Sequence, residues 1–147
     1  MLCSSGKEAP SASLEEIAMN AESDGGLGLI FVVDDEPMIC ELAVMALGRK
    51  GYQVEVASSV PEALERFKLL SSRLAAVIVD KNLPGSNGID LIDTFRLTVP
   101  DLPALLISGE LMTGDGSFTG PTAVVGKPFR LEELSATLAE VIARRGR

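Results

Sequence analysis

Six polar side chains follow directly on short apolar runs: Asp34, Asp35 and Glu36 after one, Asp80 after another, Ser108 and Lys127 after two more. Carboxylates crowded together repel, and they raise one another's pKa unless a cation joins them. The chain has no histidine, so a cation held by these groups would be bound through oxygen. All-oxygen ligation points to a hard ion, Mg2+ first. Mg2+ keeps several waters and takes a few carboxylates plus a phosphate oxygen, which suits a site awaiting a phosphoryl group. Asp80 is the candidate nucleophile, because a carboxylate can form an acyl phosphate. Lys127 and the metal would neutralise the transferred group, and Ser108 would donate a hydrogen bond to one of its oxygens.

Those side chains can meet only if the apolar runs lie side by side. Leu27–Val33 is apolar apart from Gly28, the mark of a strand covered on both faces. Pro37–Lys50 then has helical spacing at Ile39, Leu42, Ala43 and Ala46, with Pro37 in its first turn and Gly51 just beyond its end. The alternation continues with strands at 54–57, 75–79, 104–107 and 123–125 and helices at 60–70, 88–98 and 131–144. Such alternation predicts an α/β domain over 27–145, a parallel sheet with helices on both faces. Right-handed crossovers leave few topologies, and the expected one is flavodoxin-like: (βα)5, doubly wound, five strands in the order 2-1-3-4-5. Between the last two strands, Glu110–Thr122 carries Gly114, Gly116, Gly120 and Pro121, so the fourth helix is expected to be shortened or disordered. Ligands of open parallel sheets bind beyond the carboxyl ends of the strands, where strand order reverses. The second strand offers only Ser58 and Ser59 there, so the middle of the sheet is favoured.

Composition narrows the functional classes. With 147 residues, 46% of them hydrophobic and 23% charged, the chain fits one globular domain that needs no disulfide. Its two cysteines, Cys3 in a polar tail and Cys40 on a helix, are not expected to pair. The net charge of −8 would repel nucleic acid and anionic membrane surfaces. No apolar run is long enough to span a bilayer, and residues 1–13 lack a signal-peptide core, so a cytoplasmic protein is expected. Residues 1–26 are rich in Ser, Ala, Glu and Gly and read as a flexible N-terminal arm.

Four segments, taken together, resemble the signatures of two-component response-regulator receiver domains. They are Val32-Val33-Asp34-Asp35-Glu36-Pro37, Val79-Asp80-Lys81-Asn82-Leu83-Pro84-Gly85, Ile107-Ser108-Gly109 and Gly126-Lys127-Pro128-Phe129. The resemblance implies Asp80 as phospho-acceptor, and Asp34, Asp35, Asp80 and the Asn82 backbone carbonyl as Mg2+ ligands. It also implies Ser108 as the switch hydroxyl, Lys127 as the phosphoryl contact and a cis Lys127–Pro128 bond. A sensor histidine kinase or histidine phosphotransfer protein would supply the phosphoryl group, and a downstream protein would read the result. The protein would be a phosphorylation-dependent switch without an output domain of its own. It would catalyse only its own phosphorylation and dephosphorylation, and so would not be a conventional enzyme. Two features depart from the family pattern. Val124 stands three residues before Lys127, where relatives often carry Tyr or Phe. The Ser108–Lys127 interval is also short and glycine-rich, so phosphorylation is expected to order the 110–122 loop rather than turn a ring.

Simpler readings exist for each motif. Acids before Pro37 suit a helix N-terminus, Asp80 could open a turn, and a serine before glycine is common loop chemistry. A carboxylate and a lysine ending buried strands are poor choices for those roles alone. Gly120–Lys127 is not a phosphate-binding loop, because Pro128 stands where Ser or Thr is required. The glycines Gly25, Gly26 and Gly28 precede or open the first strand rather than follow it, so they cannot cradle a dinucleotide. Arg144, Arg145 and Arg147 are expected to complement the last helix's C-terminus. Two alternatives to the switch remain. One is a phosphorylation-independent interaction module. The other is an aspartate-nucleophile phosphohydrolase, which prefers its nucleophile after the first strand with a second Asp two residues on, where this chain has Glu36.

Overall fold

The computed structural model describes residues 27–109 and 118–145. The expectations for a flexible arm over 1–26 and for the fourth-helix stretch over 110–117 lie outside these residues. Strands β1 (Gly28–Val33), β2 (Tyr52–Ala57) and β3 (Leu74–Asp80) alternate with helices α1 (Pro37–Arg49) and α2 (Val60–Leu70). A short antiparallel pair, β4 (Asn82–Leu83) and β5 (Ser86–Asn87), precedes α3 (Gly88–Thr98). Then come β6 (Ala104–Ser108), β7 (Thr122–Gly126) and α4 (Leu131–Ile142). The main sheet has five parallel strands in the order β2-β1-β3-β6-β7, the topology expected from the sequence.

The alternation of β1 explains both layers. Leu29, Phe31 and Val33 face one side, packed with Phe67 and Leu70 of α2 and Leu91, Ile92 and Phe95 of α3. Ile30 and Val32 face the other, packed with Ala43 and Leu47 of α1 and Leu134, Leu138 and Val141 of α4. A strand buried on both faces must be apolar throughout, as this one is. Phe67 stacks on Phe95 with centroids 4.2 Å apart, joining the two helices of the first layer. Capping follows the sequence in places. The Ser59 hydroxyl accepts the Glu62 amide at α2, and the Asn87 carbonyl oxygen accepts the Ile89 amide at α3.

A buried arginine closes the opposite end of the sheet. Arg96, in the last turn of α3, donates from Nε and Nη2 to the Leu102 carbonyl (3.0 and 2.8 Å). Its Nη2 also donates to the Pro121 carbonyl (2.6 Å), and its Nη1 to Thr119 Oγ1 (3.4 Å). Thr119 in turn donates to Asp93 (2.9 Å). The backbone of Gly120 lies against the guanidinium, where a Cβ would come within 2.9 Å of Nε and 3.1 Å of the Pro100 oxygen. Glycine is needed there for close approach.

Arg144 and Arg145 act differently from the expectation, while Arg147 lies outside the described residues. The last helix ends at Ile142, not at 144. Arg144 reaches the Thr122 carbonyl (3.2 Å), while Arg145 reaches the Leu74 carbonyl (2.8 Å) and pairs with Asp101 (3.2 Å). These long side chains bind the loop-facing ends of the sheet rather than their own helix.

Candidate functional site

Each expected site residue except Asn82 ends or follows a main-sheet strand, at the carboxyl end of the sheet. Asp34 follows β1, where its amide donates to the Ala57 carbonyl of β2 (3.1 Å). Its Oδ1 accepts the Glu36 amide (2.9 Å), and its carbonyl accepts the Cys40 thiol (3.4 Å). The thiol's pKa is raised by burial and then by the charges of Asp34, Asp35 and Glu62, so Cys40 is a weakly reactive support for the bend. Asp34 itself is 1% exposed, and its Oδ2 has no hydrogen-bond partner among the described residues. Burial pushes its carboxyl up from 3.8 to about 6, against the Glu36 amide, which pulls it down; the neighbouring Asp80 charge adds to the rise.

Asp80 ends β3 and is 4% exposed. Its Oδ1 accepts the Asn82 amide (3.1 Å), so Asn82 enters the site through its backbone. The flanking backbone is fixed from two sides: the Lys81 amide donates to the Ile107 carbonyl (2.8 Å), and the Gly88 amide to the Lys81 carbonyl (2.7 Å). The start of α3 presses so close that a Cβ on Gly88 would collide with the Asp80 carbonyl oxygen and lie 2.9 Å from its carbon. Gly88 is therefore a site-shaping residue that periodicity alone does not reveal.

Lys127 follows β7, and its amide donates to the Ser108 carbonyl (2.8 Å) across the β6–β7 pair. Ser108 is buried one residue beyond Ile107, the register partner of Asp80. The Lys127 ammonium stands 3.4 Å from Asp80 Oδ2 and 3.2 Å from Glu36 Oε1. Partial burial works against that ammonium, yet the Glu36 hydrogen bond and the charges of Asp80, Asp34 and Glu36 carry its pKa above the ordinary lysine value. The Lys127–Pro128 bond is cis. Val124 lies in β7, partly exposed.

One expected grouping differs. Carboxylate oxygens of Asp34, Glu36 and Asp80 all lie within 4.8 Å of one another, whereas Asp35 is exposed and outside this set. Alternate side chains of near-extended backbone point the same way. Glu36 keeps such torsions (φ −92°, ψ 113°), which puts it on the side of Asp34. Three consecutive acids do not reveal which two turn inward. The donor chemistry suits a hard divalent ion: oxygen ligands, an excess of carboxylate charge, and a buried carboxylate oxygen without a partner.

The family model of the response regulator receiver domain matches residues 30–139. The chain belongs to the response-regulator receiver family. This receiver is 32% identical over 127 residues to the probable transcriptional regulatory protein TcrX of Mycobacterium tuberculosis, covering 84% of this chain and 53% of that protein. It is 30% identical to the sensor kinase CckA of Brucella abortus over 93% of this chain and 15% of the kinase. The chain thus spans about half the length of the first relative and far less of the second. Among solved structures, the receiver is similar to the response regulator TrrA of Thermotoga maritima in complex with Mg2+-BeF. That likeness has a TM-score of 0.67 and 29% identity, covering 78% of this chain and 99% of that one. Among the described residues, no helix is long and apolar enough to cross a membrane.

Proposed function

We propose that this receiver accepts a phosphoryl group on Asp80 and works as a phosphorylation-dependent signalling switch. The observation that carries the reading is the Lys127 ammonium 3.4 Å from Asp80 Oδ2, beside the unpartnered Asp34 Oδ2. The Asp80 carboxylate attacks the phosphorus of a phosphohistidine, an acyl phosphate forms, and the phosphorus–nitrogen bond breaks to release the imidazole. Lys127 takes up negative charge on the transferred group, and the Ser108 hydroxyl donates to one of its oxygens.

Asp34, Asp35, Asp80 and the Asn82 carbonyl hold Mg2+ in this reading. When bound, the ion supplies positive charge for the phosphoryl oxygens. Glu36 is engaged by Lys127, so the exposed neighbour Asp35 is the further carboxylate. The donor is a sensor histidine kinase or a histidine phosphotransfer protein, consistent with the likeness to a sensor kinase. Met38, 70% exposed in the first turn of α1, offers it an apolar contact beside the acids. A downstream protein reads the state. The receiver catalyses only its own phosphorylation and dephosphorylation, and it acts in the cytoplasm without binding nucleic acid or membrane, in keeping with a net charge of −8.

Acetyl phosphate with Mg2+, read by intact mass, tests this. The wild type should gain one phosphoryl group, and Asp80→Ala should gain none. An unchanged wild-type mass, or equal gain in the variant, would refute the reading.

A further inference from the structure

One ammonium serves two carboxylates at the mouth of the site, and the two differ in kind. Asp80 is nearly buried, with 6% of its side chain exposed, while Glu36 has 58% exposed and is the nearer partner of Lys127, at 3.2 Å against 3.4 Å. We propose that Glu36 is a positioning residue: it holds the Lys127 ammonium at the rim of the site until a phosphoryl group on Asp80 takes its place. The inference rests on the phosphoryl-acceptor reading and adds to it a role for Glu36, the one carboxylate of the Asp34–Glu36–Asp80 cluster that the proposed Mg2+ ligands leave out.

An ion pair open to water is weak and easily given up, because solvent screens it and both side chains regain freedom on release. A phosphoryl group brings about −1.5 to −2 charges and three strong acceptor oxygens, so it competes well for the ammonium. The same charge repels the Glu36 carboxylate, whose oxygen lies within 4.8 Å of carboxylate oxygens of Asp34 and Asp80. Phosphorylation therefore exchanges one partner of Lys127 for another and expels Glu36 toward solvent. In the unphosphorylated protein, Glu36 both occupies the cation and adds like charge in the path of an anionic donor. It acts as a brake on phosphoryl entry.

Glu36→Gln removes the charge and keeps the size of an exposed side chain. Two rates and one affinity decide the matter. Reductive methylation of Lys127 in metal-free protein, followed on its own peptide with Lys50 and Lys68 as references, should be about two- to fivefold faster in the variant, as for loss of an exposed ion pair. Phosphorylation by acetyl phosphate with Mg2+ should also be faster, by about fivefold. Mg2+ affinity should stay within about threefold of wild type, since the lost charge is exposed and screened. An unchanged Lys127 labelling rate, or unchanged or slower phosphorylation, would overturn the proposal. So would a loss of Mg2+ affinity beyond about threefold, since removing even a group that only orients a metal ligand costs about tenfold or more. If wild type itself takes no phosphoryl group, the acceptor reading fails, and the metal-free labelling still decides whether Glu36 holds Lys127.

Discussion

Arg96 and Asp34 are both buried charges, at 5% and 1% exposure, but the fold surrounds them in opposite ways. Arg96 donates to two backbone carbonyls and one hydroxyl at the closed end of the sheet. Asp34, at the open end, keeps one oxygen with no hydrogen-bond partner among the described residues, beside two further carboxylates. Burying a charge is costly unless partners replace water. A fully engaged buried charge is therefore a structural joint, tying α3 to the loops on either side of β6. A buried charge left short of partners is where a ligand completes the set. The shifts agree with this division. Burial lowers the Arg96 pKa from the ordinary arginine value, with Asp93 pulling the other way, and a guanidinium stays charged regardless.

Removing the Arg96 joint should have the largest effect. Arg96→Met removes both donations to the buried Leu102 carbonyl and leaves the Pro121 carbonyl with the Ala104 amide alone, which should cost about 2–5 kcal/mol in urea unfolding. The folded fraction should still take up phosphoryl, since Arg96 touches none of the acceptor residues. A variant as stable as wild type would erase the distinction between the two ends.

Asp34→Asn should have the opposite sign. The folded-state pKa is raised from 3.8 to about 6, so the group's contribution to stability is full below 3.8 and lost as pH rises through about 6. Above that, the ionised Asp34 is a cost in metal-free protein. The variant should then be more stable by on the order of 2 kcal/mol at pH 8, with the gain vanishing in acid. Its Mg2+ affinity should fall at least about tenfold. A variant less stable than wild type at pH 8 would show that the carboxylate is already satisfied.

The smallest effect belongs to the surface. Arg145→Ala removes the hydrogen bond that holds the Asp101 carboxyl below the usual carboxylate range. A lowered acid contributes stability above its unfolded pKa and loses it as pH falls through the folded one. The variant's thermal midpoint should drop slightly at neutral pH, the difference should fade in acid, and the Asp101 titration seen by NMR should return toward an ordinary value.

The two ends also differ in how far sequence reveals them. Apolar runs buried on both faces announce β1, β3 and β6, and a shorter apolar run announces β7; the polar residues at their carboxyl ends are the candidates, so Asp34, Asp80, Ser108 and Lys127 are legible together. The edge strand is less so: β2 begins at Tyr52 rather than Val54, where Gln53 is exposed and the apolar pattern is broken. The β4–β5 pair is hidden because two residues per strand carry no periodicity. Which acid beside Asp34 turns inward depends on one bend, so Glu36 does not stand out from Asp35. Arg96 reads as an ordinary last-turn arginine, because its partners come from residues 102, 119 and 121. Gly88 and Gly120 are contacts of the fold, not of the local pattern.

In the proposed function, covalent chemistry occurs at Asp80. An acyl phosphate, unlike a carboxylate, is reduced by borohydride to an alcohol. After treatment with acetyl phosphate and Mg2+, reduction and peptide mapping should find the reduced residue at position 80. A reduced residue at Asp34, Asp35 or Glu36, or none anywhere, would contradict the account.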